Sequence, residues 1–560
     1  MTTQCFSLSF SALHLPILLF RQCALSCLIV LLYLITPNAQ AQSNENVRDE
    51  LHLFISRMST LPQQTKAREY QSELDRFYSA INYAPVWFDQ GRPKPDVNIA
   101  LNELHSAPDH GLSASTYNFD WLTQEIQAIS KEKVNLPARL AHIETALTIA
   151  LLRYANHLHY GRTHSPYLSR QTKKDTFDRV EWLRVALTQN KLSSAITEAE
   201  PTHPFYKQLK DILIQYRKLS QSPWPTLPAL PDKAKVEPGE HYSGVAALYD
   251  KLLVLGDISS ASPRPSSDIY EESVVEGVKH FQERHGLTAD GIFGKQSFLE
   301  LNKPLEERVH QLELTLERLR WLPRFSSEPH ILVNIPSYSL FAFSDNHTSQ
   351  PTLAMRVIVG KSKQTPTPIF NSAMQQVEFN PYWHVPQSIL REEIVPKLEE
   401  DPTYLQHKGM ELAGGEDTED INEDVLEALQ KGQLRVRQKP GSKNALGRIK
   451  FILPNAMDIY LHATPSVRLF ERARRDFSHG CIRVEHPVEL AQFVLHNPQS
   501  WSADHIKAAM SSKKTHRVRL PSPIPIFIFY STAMVDEHGH VLFFPDIYHH
   551  DEKLSQDIRR

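Results

Sequence analysis

The spacing of apolar residues changes period along the chain. Leu147, Leu151, Tyr154, Ala155 and Leu158 recur at i, i+4, i+7, i+8 and i+11, one face of a helix. The region 48–220 reads as mostly helical, with the aromatic stretch from Phe77-Tyr78 to Trp87-Phe88 in its core. Between 221 and 242, Pro223, Pro225, Pro228, Pro231 and Pro238 exclude a helix interior and predict a linker or an extended wrap. Residues 243–302 form a small helical unit. Val275, Val278 and Phe281 have helical spacing, Gly286, Asp290-Gly291 and Gly294 mark turns, and a last helix falls near 297–301.

After a helix ending near Arg320-Trp321, the period becomes two. Ile331, Val333 and Ile335 alternate with other residues, and further strands are predicted at 353–359, 377–380, 448–453, 458–463 and 524–530. Residues 329–530 therefore read as a mainly-β domain. Residues 531–560 follow as a hairpin about Gly539 and a tail. The stretch 391–440 interrupts the strands with a helical pattern, acidic at 416–420. It is either a cap over a site or a solvated surface excursion. The fold class is multidomain α+β.

Composition narrows this picture. The chain has 560 residues, enough for three or four domains at about 150 residues each. Charged residues make up 22% and the formal net charge is −3, without the basic bias of a dedicated nucleic-acid binder. A mean hydropathy of −0.38 excludes a multi-span membrane protein. Four cysteines are too few for a disulfide scaffold of this length.

Three of those cysteines, Cys5, Cys23 and Cys27, lie in the first 41 residues. There Arg21 precedes a twelve-residue apolar run over 24–35, and Ala39-Gln40-Ala41 follows as a small-x-small exit. This is the pattern of a secretory signal peptide, 1–41. An uncleaved membrane anchor is the alternative, because apolar residues also run from Leu13 to Phe20. Cleavage after Ala41 takes the formal charge from −3 to −4 and leaves Cys481 as the one thiol. Such a thiol is either a buried hydrophobe or a reactive group.

Cys481 stands in Ser478-His479-Gly480-Cys481, with Arg475 and Arg483 close in sequence. A thiol reacts as thiolate, and neighbouring imidazole and cationic groups favour that form. His462 lies nineteen residues earlier at the end of a predicted strand. Cysteine nucleophile, histidine base and a third group orienting the ring are the parts of covalent acyl transfer. A metal site from His462, His479 and Cys481 has no further Cys or close His-x-x-His to support it.

His462, fifteen intervening residues and Ser478-His479-Gly480-Cys481 resemble the signature of the L,D-transpeptidase family, with its YkuD-type catalytic domain. Val333-Asn334-Ile335-Pro336, Val357-Ile358-Val359-Gly360-Lys361, Thr365-Pro366-Thr367-Pro368, 380–386, Pro440-Gly441, 444–447 and Lys450-Phe451 resemble its large multidomain branch. Residues 278–287, 290–294 and Leu301-Asn302 resemble a three-helix peptidoglycan-binding domain, with Ser297 where that family usually carries Thr as a hydroxyl cap. A structural three-helix unit without a ligand is the alternative for 243–302. Ala463 and His384 depart from the branch, which often has Asp and Asn there.

The resemblance implies an L,D-transpeptidase without metal or organic cofactor. Cys481 would attack the carbonyl joining meso-diaminopimelate to the terminal D-Ala of a tetrapeptide stem. D-Ala leaves, a thioester forms, and the amine of a second stem makes a 3→3 cross-link. His462 is the implied base and the carbonyl of Ala463 the group that orients it. N–H groups of Gly480 and Cys481, aided by His479, are the implied oxyanion hole, and Ser478 completes the motif. Tyr460, Trp383 and Arg483 are candidate substrate contacts. Arg483 either pairs with a stem carboxylate or forms a structural ion pair. Water or a D-amino acid resolving the same thioester gives carboxypeptidase or exchange activity, and a carbapenem carbonyl is a further acylating group. Against a papain-like or NlpC/P60-type peptidase, His462 precedes Cys481 in the chain. A non-catalytic wall-binding scaffold is the remaining alternative. The implied partners are stem peptides, glycan strands and other cell-wall synthesis proteins, not nucleic acid. The implied protein is a monomer exported to the periplasm.

Overall fold

The computed structural model describes residues 44–58, 66–132, 137–163, 177–324, 328–344, 350–413, 421–512 and 514–559. The expected export signal with Cys5, Cys23 and Cys27, and the acidic run 416–420, lie outside the described residues. Among the described residues, no helix is long and apolar enough to cross a membrane. The chain divides into two compact units, the second containing 109–111 and everything described from 200 onward.

The first unit is helical. Its helices include Gln71–Ser79, Pro95–His105, Phe119–Glu132, Pro137–Tyr160, Arg179–Thr188 and Leu192–Ala199. The face formed by Leu147, Leu151, Tyr154 and Leu158 is fully buried, in one core with Phe77, Tyr78, Trp87 and Phe88. Within this core, Glu144 accepts N–H bonds from Val86, Trp87 and Phe88 at 3.1, 2.9 and 3.0 Å. Burial still pushes its carboxyl up to about 7, against those three donors. An unfolded glutamate titrates near about 4.3. The native state therefore holds the proton more tightly, and this stabilisation is present below about 4.3 and lost as pH rises through about 7. Thermal melts from pH 4 to 8 should show a downward slope from this group that Glu144→Gln removes. An unchanged slope in the variant would contradict the assignment.

The helix Pro204–Ser220, which the sequence pattern groups with the N-terminal helices, belongs to the second unit. Its buried face, Phe205, Tyr206, Leu209, Leu213 and Tyr216, shares a core with Leu312, Leu316 and Leu319 of helix Leu305–Leu319. The proline-rich stretch is a wrap rather than a free linker. Leu227 and Val236 enter the core of the three-helix unit, and Lys235–Val236 pairs with Phe293–Gly294. That unit consists of Val245–Leu255, Glu272–Arg284 and Lys295–Leu301. Ser297 is not its helix cap. Gly294 holds that position, and the buried Ser297 hydroxyl accepts from Gln282 Nε2 at 3.1 Å. Gln282 also accepts from Gly291 N–H, so one buried amide pins the Asp290-Gly291 turn.

The β domain begins with β1 (His330–Asn334), β2 (Ser339–Phe343), β3 (Leu353–Gly360) and β4 (Phe370–Phe379). Then come β5 (Trp383–His384), β6 (Met410–Ala413) and β7 (Arg435–Gln438). They are followed by β8 (Ile449–Ile452), β9 (Leu461–His462), β10 (Asp476–Ser478), β11 (Ile482–Val484) and β12 (His516–Phe529). Neighbouring strands run β3–β11–β9–β8–β4–β12–β1–β2, and β2 pairs back onto β3, so these eight close on themselves. β10 adds to the end of β3 in parallel. Alternation sends Ile331, Val333, Ile526 and Ile528 to one core, and Leu332, Phe527 and Phe529 to the helices on the other face. The expected hairpin forms from Ala533–Val535 and Val541–Phe543, and the tail ends in helix His550–Arg559.

The 391–440 stretch is not simply helical. It belongs to an α+β excursion starting at Trp383, with sheet order β6–β7–β5 and helices that include Val395–Glu400 and Glu423–Lys431. Its own core contains Leu390, Ile394, Val395, Leu398, Leu429 and Val436. Arg435 to Gln438 alternates exposed and buried positions, the period-two signal that the surrounding helical pattern conceals.

Candidate active site

The site is built on the outer face of the closed sheet. β9 and β11 run parallel, pairing Leu461 with Ile482 and His462 with Arg483. Leu461, Ile482 and Val484 point into the core, so His462 and Arg483 point outward. β8 pairs Lys450 with His462 and Glu378 with Lys450. One row thus runs Arg483, His462, Lys450, Glu378 across four strands. Cys481 is half-buried and leads directly into β11.

His462 is buried, and its Nδ1 donates to the Ala463 carbonyl at 2.6 Å. A carbonyl only accepts, so the hydrogen is on Nδ1. Burial pushes the imidazole down to about 3, the Arg483 charge adds to this, and the bonds to Ala463 and Leu446 oppose it. The ring is neutral at pH 7, the form a general base requires.

Cys481 Sγ contacts the Asp458 carbonyl at 3.6 Å. Burial pushes the thiol up, against the expectation of a depressed value, while the nearby Tyr460 and Lys450 act in the opposite direction. Among the described residues, no hydrogen bond joins Cys481 to His462; the register places Cys481 next to Ile482, the partner of Leu461. Arg475 is not part of the site. Its guanidinium lies 5.2 Å from the Tyr338 ring centre and bonds to Arg472. Arg483 keeps a buried Nε with no partner, so no structural ion pair is seen for it among the described residues.

The turn carrying the nucleophile is held from inside. Ser478 Oγ donates to the Cys481 carbonyl at 2.5 Å and accepts from Gly480 N–H at 3.2 Å. One of the two expected oxyanion donors is therefore engaged. The Gly480 carbonyl accepts from Thr367 Oγ1 at 2.7 Å, and the same hydroxyl accepts from Gly360 N–H. Gly480 has φ +109°, where an L side chain is strained. Gly480→Ala should cost about 1–3 kcal/mol, read by chemical denaturation. Wild-type stability would contradict a strained turn.

Tyr460 lies beside one cation and one aromatic ring. Lys450 Nζ lies 3.8 Å from its ring centre, and the His462 ring lies 5.7 Å away edge-on. Burial pushes the phenol up, and the nearby Cys481 adds to this, so it acts as a donor. His479, expected to aid the oxyanion hole, has one ring nitrogen engaged elsewhere. Its Nε2 meets Glu393 Oε1 at 2.5 Å. His384 lies exposed on β5, opposite Arg437.

Sequence reasoning gave no role to Lys450, Thr367, Asp458 or Glu393. Lys450 and Thr367 stand in stretches that carry the family resemblance, which was the available signal. Glu393 and the Asp458 carbonyl had none, since one acts across a long excursion and the other through its backbone.

Three regions match family models: a scaffold domain at 72–213, a peptidoglycan-binding domain at 241–298 and an L,D-transpeptidase catalytic domain at 328–515. A Haemophilus influenzae protein provisionally named an L,D-transpeptidase is 34% identical over 251 residues, 44% of this chain and 49% of that protein. The match thus spans about half the length of that curated relative. Solved structures with local likeness include an L,D-transpeptidase of Xylanimonas cellulosilytica, 14% identical with TM-score 0.18, covering 54% of this chain and 100% of that one. Another is a fused Zn-dependent amidase/peptidase protein of Clostridium acetobutylicum, 13% identical with TM-score 0.16, covering 53% and 99%. At those scores neither likeness carries an argument. What stands is a multidomain α+β chain whose site-bearing domain, residues 328–515, matches the L,D-transpeptidase catalytic domain, after a region that matches a peptidoglycan-binding domain.

Proposed function

We propose that the chain is an L,D-transpeptidase acting on peptidoglycan stem peptides through a Cys481 thioester. The observation that carries this is His462, neutral and fixed by the Ala463 carbonyl, on the strand paired with the one that Cys481 leads into. In the first step the thiol turns from Asp458 toward His462, which takes its proton. Sulfur bonds to the carbonyl carbon before the terminal D-Ala, and the oxyanion is met by the Cys481 N–H. The C–N bond breaks and the proton passes to the leaving amine. In the second step the amine of another stem attacks the thioester, His462 takes its proton, and the thiol is restored. Proton transfer by a positioned base contributes about 10²–10⁴ in rate.

Arg483 and Lys450 supply positive charge beside the thiol. Guanidinium geometry suits a stem carboxylate, and the unpartnered Arg483 Nε supports that use over a structural pair. The region matching the peptidoglycan-binding domain would hold the enzyme on its polymer, with the periplasm as the compartment that contains it. The test is incubation of the full chain with disaccharide-tetrapeptide and mass analysis of the products. A dimer lacking one D-Ala, absent with Cys481→Ala, supports cross-linking. Tripeptide alone reassigns the chain as a carboxypeptidase. No Cys481-dependent product contradicts the reading.

A further inference from the structure

The excursion over 383–438 reaches the nucleophile's surroundings at two points. Trp383, where it begins, acts electrostatically on Tyr460, and Tyr460 on the thiol. Glu393 bonds to His479, two residues before Cys481. The second arises from a local distortion of the helix. Residues Leu390–Ile394 form a π-helical turn immediately before Val395–Glu400. Pro396 explains it. Proline has no N–H, and its ring collides with the carbonyl four residues back, at Glu392. The widened turn includes Glu393, and π-turns of this kind recur at functional sites.

We propose that Glu393 is a positioning residue: by bonding to His479 it fastens one edge of this cap to the Ser478–Cys481 turn and orients that turn for acyl transfer. A carboxylate only accepts, so Nε2 of His479 carries the hydrogen and the ring has one preferred setting. Without Glu393 that edge is held by no other contact seen for His479 among the described residues. The thiol then becomes more open to small reagents and less well placed for a large stem. Only the stem-dependent part of this inference rests on the transpeptidase reading.

The full chain is compared with Glu393→Ala, Glu393→Gln, His479→Ala, the double variant Glu393→Ala/His479→Ala, and Glu392→Ala as a neighbouring control. Two readouts are taken: alkylation of Cys481 by iodoacetamide, and kcat and KM for D-Ala release from disaccharide-tetrapeptide. For Glu393→Ala, kcat should fall about tenfold, the size of a coupled contact of this kind, with KM within about twofold. Alkylation should become faster. Glu393→Gln, which keeps an accepting oxygen, should restore most of both. The double variant should match the single variants instead of multiplying their effects, and Glu392→Ala should behave as wild type. Unchanged alkylation in Glu393→Ala, or effects that multiply in the double variant, would overturn the proposal. If the wild type releases no D-Ala, the transpeptidase reading fails, and the alkylation cycle alone decides the role of Glu393.

Discussion

Cys481→Ala is expected to remove acyl transfer altogether, a loss on the order of 10⁴–10⁶ in kcat, while leaving the fold intact. The chemical reason is that no other group at the site can form the thioester. Ser478, the nearest hydroxyl in the motif, is buried and bonded to the Cys481 carbonyl and the Gly480 N–H. The structural reason for a retained fold is that Cys481 is half-buried, and its removal deletes one sulfur at the edge of the core. The stability cost should be no more than about 1 kcal/mol. D-Ala release and a thermal melt, made on the same preparation, check both halves. Residual turnover above a heat-inactivated blank would point to a different nucleophile.

His462→Gln is the second large effect. The amide can occupy the same space but cannot shuttle a proton, so kcat should fall about 10²–10⁴-fold. The variant should also change stability against pH. Burial lowers the native imidazole to about 3, below an unfolded histidine near about 6.5. The native state therefore binds this proton less tightly. The stabilisation is complete above about 6.5 and is lost progressively as pH falls toward 3. Wild type should lose stability across that window more steeply than His462→Gln. Equal slopes in denaturant titrations at pH 7 and 4 would show that this ring is not held neutral.

Much of the fold was legible because burial imposes period. The Leu147–Leu158 face, the Val275, Val278, Phe281 face and the β1 alternation all lie in cores as read. Irregular backbone was harder. Residues 458–463 have an alternating pattern, yet only Leu461–His462 forms a strand. Asp458 has φ +53°, and Asn455 Oδ1 accepts from Met457 and Ile459 N–H, so a side chain takes the bonds that a ladder would use. That departure supplies the Asp458 carbonyl facing the thiol. The strands of the excursion were missed because their alternation lasts only four residues, Met410–Ala413 and Arg435–Gln438, within a helical background.

At the site, residue types and spacing pointed to His462 and Cys481, because the chemistry requires those groups, and the family resemblance implied Ala463. Spacing did not reveal direction. Arg475 lies six residues before Cys481 yet stacks on Tyr338, whereas Lys450, thirty-one residues before it, approaches through β8. Glu393 comes from farther still, on the excursion. Sheet register and the excursion's own core set these positions, and neither leaves a local mark in the sequence.

The central claim is that Cys481 carries the acyl group. Its most direct test is rapid acid quench of the full chain with disaccharide-tetrapeptide, followed by intact-mass and peptide-map spectrometry. The account predicts an adduct equal to the stem less D-Ala, located on the peptide containing Cys481, labile to hydroxylamine and accumulating more when no acceptor amine is present. An adduct on another residue, or turnover with Cys481 unmodified at every quench time, would contradict it.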